Sequence, residues 1–462
     1  MHILLLIVYG VLASYGIWKI PFLRKSGIRP GWLWVLFVLH VLTGWAHNWI
    51  AYRNFPEHGD IWNYFSLSFL YRHRLLSEFH LFVSDNSTWT YITHNGIVYV
   101  QMLLDLLSGD DMTVNTLLFA FPVLLGNVAL FRVFRRRFGG DGVAAGAVFW
   151  LPSVLFWTAC IYREGMLYML LGFLFFHLDR LPARRSLYFA MVLFLLIAYF
   201  RLAVAVVLGV ALLVWWLGDH WRMGDRRWVG GSRFSRRLRL GLAGGVVVLL
   251  IVFTVPAVRG PVLGAVTTEQ TSFQILEGHS RLPLPVLDGT LGSFWRAFPT
   301  AVLNGLFEPL PGSGGQTAYL GFSIELVFVW GVVVLAIIRT LRISLAPPTP
   351  VQSNYGEFAA IKPEDTAASP LPPAASTVPP ASPAFSGSPT FSGSPAFSAA
   401  CVLFALGGML LIGFVVPFAG TIVRYRSIYL PFLLAPALHS LRGHPAMQRL
   451  NHWLNNKLQF LI

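Results

Sequence analysis

Asp60, Arg163, Glu164, Arg201, Arg424 and Arg426 are charged side chains at apolar boundaries of this chain, where membrane orientation does not require them. A carboxylate such as Asp60 serves as a general base when a hydroxyl comes within hydrogen-bond reach. An arginine offers a planar pair of N–H donors that matches two oxygens of a phosphate. One acid among several arginines therefore suits a site that binds an anion such as a lipid phosphate. Asp60 sits in His58-Gly59-Asp60, with Tyr64 one turn later, so His58 and Tyr64 are its candidate partners in binding substrate. The same aspartate also fits a helix N-cap, and the two roles are compatible. Arg163-Glu164, Arg201 and Arg424-Tyr425-Arg426 each fall at the tip of an apolar hairpin, where the plainer role is an interfacial anchor, with Glu164 capping a helix. Glu325 is the one carboxylate inside an apolar run, and Glu308-Pro309 reads equally as a loop or as a ligand. His40 and His47 read as packed or interfacial residues, so no metal-ligand set is assigned; a divalent cation is left open as the only cofactor.

These residues need a scaffold, and composition defines its class. Of 462 residues, 55% are hydrophobic and 12% charged, which describes a polytopic helical membrane protein. The formal net charge of +14 is strung along loops such as Arg132 to Arg137 and Arg222 to Arg239. Such loops suit anionic lipid headgroups, and without a nucleic-acid-binding motif no nucleic-acid partner is expected. Cys160 and Cys401 fall at opposite membrane edges and should not pair. No phosphate-binding glycine loop, zinc-binding helix or nucleophile elbow occurs, which leaves soluble-enzyme chemistries unsupported.

The apolar runs thread as about eleven transmembrane helices in an all-α fold, with most of the 34 Lys and Arg on one side. That side is assigned to the cytoplasm. Residues 1–30 give an extra N-terminal helix and a cytoplasmic loop. Residues 31–341 form the core, with outer loops 51–111 and 259–318. In the first loop, Asp60 to Phe82 and Tyr91 to Leu107 are half-apolar and read as amphipathic helices on the outer surface. Spans 4 and 5 are expected at 142–160 and 165–178, spans 6 and 7 at 186–200 and 202–217, and span 8 at 240–258. The Pro, Ala and Ser-rich stretch 342–398 reads as a disordered cytoplasmic linker, 399–441 as a C-terminal hairpin, and 442–462 as a cytoplasmic tail.

A span entering a long outer loop that opens with an acidic residue, two surface helices in that loop, then paired hairpins: this layout resembles the GT-C class of integral membrane glycosyltransferases. Arg163-Glu164 and Arg424-Tyr425-Arg426 with Pro431 are also similar to elements of bacterial exopolysaccharide-assembly membrane proteins. The resemblance implies a sugar donor on a polyprenyl phosphate or pyrophosphate, a glycan or lipid acceptor, a bacterial inner-membrane location, and Asp60 as catalytic base. The family often has two adjacent acids in this loop; here the nearest partner is Glu57, three residues earlier. A polysaccharide polymerase or ligase with the same kind of site, and a lipid-linked oligosaccharide transporter, are the alternatives.

Overall fold

The computed structural model describes residues 2–54, 60–80, 96–181, 183–220, 256–278, 280–311, 319–345, 395–445 and 448–449. Among them the chain is almost entirely helical, without strands. Six helices are long and apolar enough to cross a membrane. They are α1 (His2–Lys19), α3 (Pro30–Asn54), α6 (Met112–Phe138), α11 (Leu202–His220), α14 (Leu320–Leu345) and α15 (Pro395–Val415). Shorter elements join them: α2 (Pro21–Arg24), α4 (Asp60–Ser77), α5 (Gly96–Ser108), α7 (Asp141–Phe149), α8 (Pro152–Thr158), α9 (Arg163–Leu178), α10 (Arg184–Phe200), α12 (Pro256–Gln274), α13 (Leu291–Val302), α16 (Ala419–Arg426) and α17 (Leu430–Leu441).

The central pillar is α6, and its sequence fixes both ends. The Asp111 carboxylate caps the start, accepting Thr113 N at 2.8 Å and Val114 N at 2.9 Å. Gly139, at φ 66°, closes the other end with its N–H on Arg135 O. Midway, α9 packs so closely that a Cβ on Gly172 would run into the backbone of Gly126. Small residues allow such an approach where lipid supplies no hydrophobic drive between helices.

Expected spans and observed helices differ in two places. Residues 142–160, read as one span, are two helices, because Pro152 cannot continue the hydrogen-bond ladder of α7 and instead starts α8. The chain then turns at Ala159–Tyr162 and re-forms as α9, at 109° to α8; if that bent pair is one span, the described residues hold up to seven candidate spans. Spans 5 and 6 and the second arm of the C-terminal hairpin exist as helices of 16, 17 and 12 residues. Most of span 8, the cytoplasmic linker between Leu345 and Pro395, and nearly all of the tail lie outside the described residues.

The second difference concerns 259–318, expected as outer loop. Its α12 lies against the outer end of α15, where Gln270 Nε2 donates to Phe414 O at 2.9 Å. The following α13, extended by a π-helical turn over Leu303–Phe307, runs lengthwise down α15. Ala301 faces Gly413 and Gly305 faces Met409, so the two segments are antiparallel. At the bottom, Trp330 Nε1 donates to Leu306 O at 2.7 Å, and Phe307 stacks on the Trp330 ring. Trp330 lies ten residues into α14, about 15 Å along its axis, roughly half the depth of a hydrocarbon core. Leu291–Phe307 is thus a half-helix laid lengthwise on α15, with its end beside the middle of α14.

The two surface stretches are helices as expected, α4 and α5, packed on each other through Ile61, Ser68 and Tyr71 of α4 and Ile97, Val98 and Met102 of α5. Cys160 and Cys401 are both free and buried. His40 and His47 are buried in the core.

Candidate functional site

Asp60 is the first residue of α4, and Glu164 is in the first turn of α9. Arg201 occupies the break between α10 and α11, where its extended backbone (φ −161°) ends one helix and begins the next. Arg424 lies in the last turn of α16. Although 364 residues separate them, Arg424 Nη1 donates to Asp60 Oδ2 at 2.6 Å. Arg424 Nε lies 3.8 Å from Glu164 Oε1, and Arg201 Nη1 reaches the same oxygen at 3.2 Å. Four distant stretches therefore meet in one chain of ion pairs: Asp60, Arg424, Glu164, Arg201.

Aromatic rings hold the cations in place. The Tyr425 ring lies 3.5 Å from the Arg201 guanidinium carbon and 4.9 Å from that of Arg424, so it is packed against both. Its hydroxyl accepts from Arg424 Nη2 at 3.2 Å. Tyr162, missed from the sequence, brings its ring to 5.0 Å from Arg424 and packs edge-on to His47 and Tyr64. The signal for Tyr162 was only its position next to Arg163. Burial, then the nearby Asp60 carboxylate, push the Tyr64 hydroxyl well above its ordinary range, so Tyr64 stays protonated as a hydrogen-bond donor.

Accessibility divides the two acids. Asp60 exposes 46% of its side chain, Glu164 only 3%. Solvent reaches the first and hardly the second. Arg163, neighbour of Glu164, lies close enough for its charge to act on Tyr64 and Tyr199. In the ion-pair chain itself two carboxylates, Asp60 and Glu164, face two guanidiniums, Arg424 and Arg201.

Arg426 and Glu325 belong to a separate, deeper node. Residues two apart on a helix point in different directions, so Arg426 faces away from Arg424. It is 2% exposed and donates through Nη1 to Glu308 O at 2.5 Å, at the lower end of the half-helix. Glu325, on α14, accepts from Ser153 N and Ser153 Oγ, each at 2.9 Å. Glu308 thereby acts here through its backbone carbonyl. Ser153 carried no sequence signal beyond standing after Pro152, where a free N–H is expected at the start of a helix.

His58 lies outside the described residues. Among the described residues, no group of three or more His, Cys, Asp or Glu converges as a metal site. Compared with family models, characterised proteins and solved structures, the chain matches none of them.

Proposed function

We propose that the chain is a glycosyltransferase of the bacterial inner membrane, moving a sugar from a polyprenyl-linked phosphate donor to a glycan or lipid acceptor during polysaccharide or glycolipid assembly. The observation that carries this reading is the ion-pair chain from half-exposed Asp60 through Arg424 and Glu164 to Arg201. Because Asp60 is half-exposed, its place on Arg424 is open to exchange with an incoming anion. Arriving phosphate oxygens compete with Asp60 for the N–H donors of Arg424, and the carboxylate they displace is freed as a base. The acceptor hydroxyl gives its proton to Asp60 while its oxygen bonds to the anomeric carbon. The bond from that carbon to the phosphate oxygen breaks, and the phosphate leaves with the electron pair, its charge held by Arg424, Arg201 and Arg163. A polymerase or ligase would differ only in the acceptor.

A transporter of lipid-linked oligosaccharide is the second reading. It is favoured by the deeper node, since broken helices that bring polar groups to mid-membrane are a transporter's means of holding substrate.

The test is transfer from radiolabelled polyprenyl-phosphate sugars by purified protein in lipid nanodiscs, with a parallel flipping assay in vesicles. Transfer should fall by about 100-fold or more in Asp60→Asn, which keeps the shape of the side chain but not its basicity. Arg424→Lys keeps charge but loses the planar donor pair, and should weaken donor use. Wild-type turnover by Asp60→Asn would end the assignment of the base. Flipping without transfer would favour the transporter.

A further inference from the structure

Asp105 is fully buried where α4, α5 and α6 meet, and its hydrogen-bond partners among the described residues can be counted. Its Oδ1 accepts from Gln101 Nε2 at 3.0 Å and from Asn115 Nδ2 at 2.6 Å. Its Oδ2 lies 2.6 Å from Ser68 Oγ. That hydroxyl in turn lies 2.7 Å from the carbonyl oxygen of Phe65. A serine has one hydroxyl proton, and a carbonyl has none. If Asp105 were ionised, Ser68 would face two acceptors at hydrogen-bonding distance with a single proton. The count closes when Asp105 Oδ2–H donates to Ser68 Oγ and Ser68 donates to Phe65 O.

Among the described residues the surroundings supply no countercharge. On α4, Arg72 is committed to Asp110. Asp110 itself is negative, and Asp111, at the start of α6, is paired with His2 of α1 at 3.2 Å. Gln101 and Asn115 are neutral. An unpaired buried carboxylate is costly enough that such groups keep their proton.

We propose that Asp105 is held protonated through neutral pH and serves as a proton-dependent clamp that fixes α4 on α5 and α6. Its positioning role is direct, since Ser68 lies eight residues along α4 from Asp60, about 12 Å at helical rise. Burial, with a smaller push from Asp110, raises the pKa of Asp105, against the lowering by its hydrogen bonds to Ser68, Asn115 and Gln101. Its stabilising effect is then complete below the unfolded value of 3.8 and is lost progressively as pH rises above it towards the folded value. The clamp does not depend on the glycosyltransferase reading.

Asp105→Asn is the shape of the protonated acid: its amide N–H replaces Oδ2–H towards Ser68, and its oxygen still accepts from Gln101 and Asn115. The variant should melt with the wild type at acid pH and above it at alkaline pH, with a flatter profile between. The wild type at neutral pH should show an infrared band of a protonated carboxylic acid that Ser68→Ala shifts and Asp105→Asn removes. An Asp105→Asn variant less stable than the wild type at neutral pH would overturn the proposal. So would a wild-type spectrum with no acid band sensitive to Ser68→Ala, even if Asp105→Asn does not fold.

Discussion

Arg424 and Arg426 stand two residues apart on one short helix, yet they meet opposite kinds of partner. Arg424 looks towards half-exposed Asp60 and the buried Glu164, both side-chain carboxylates. Arg426, sealed from solvent, is tied to a backbone carbonyl, that of Glu308. A carboxylate on a helix end that faces solvent can be exchanged for another anion at small cost. A carbonyl at the end of a half-helix cannot, because its own hydrogen bond would then be missing at membrane depth. The contrast leaves Arg424 with an accessible partner and Arg426 with a sealed one, and α16 carries both without conflict because residues two apart do not share a face.

The harshest way to break this comparison is Arg426→Met. It removes the donor from the Glu308 carbonyl and should lower stability by about 3 kcal/mol, as leaving a buried acceptor unsatisfied does. Thermal unfolding in detergent would measure it; a melting temperature like that of the wild type would contradict the architectural role. Gly413→Ala probes the same region from the other wall. The new methyl group would run into the carbonyl of Ala301, which as backbone cannot swing aside. About 2 kcal/mol of destabilisation is expected, and an unchanged melting point would mean that α13 is not seated against α15. The mildest test sharpens the outer side. Tyr425→Phe deletes the hydroxyl that accepts from Arg424 but keeps the ring against both guanidiniums. It should cost about 1 kcal/mol or less in stability and leave donor binding nearly intact; a collapse of donor binding would shift the anion-holding role towards the tyrosine.

How much of this was readable in the sequence follows from the range of each interaction. Apolar runs and their flanking charges mark α1, α3, α6, α14 and α15, because a span is a local property of about twenty residues. The amphipathic character of α4 and α5 was equally local. Asp60, Glu164, Arg201 and Arg424 could be singled out as charges that topology does not require, but the pairing of Asp60 with Arg424 could not, since no rule of spacing connects residues 364 apart. The half-helix Leu291–Phe307 was hidden for another reason. Its Gly and Pro content reads as loop, and only contact with Gly413 and Met409 turns it into packed structure. The break before Pro152 was visible as a proline, but an apolar run masks a change of direction.

The half-helix also fixes an order of assembly. The groups that satisfy its lower end come later in the chain than it does: Trp330 for the carbonyl of Leu306, and Arg426 for that of Glu308. Lipid offers no substitute hydrogen bonds. While the ribosome is still making α14, residues 291–307 cannot rest in the bilayer in their final form. Their final seat therefore forms only after α15 and α16 have been made, so this part of the molecule matures after residues more than a hundred positions later in the chain.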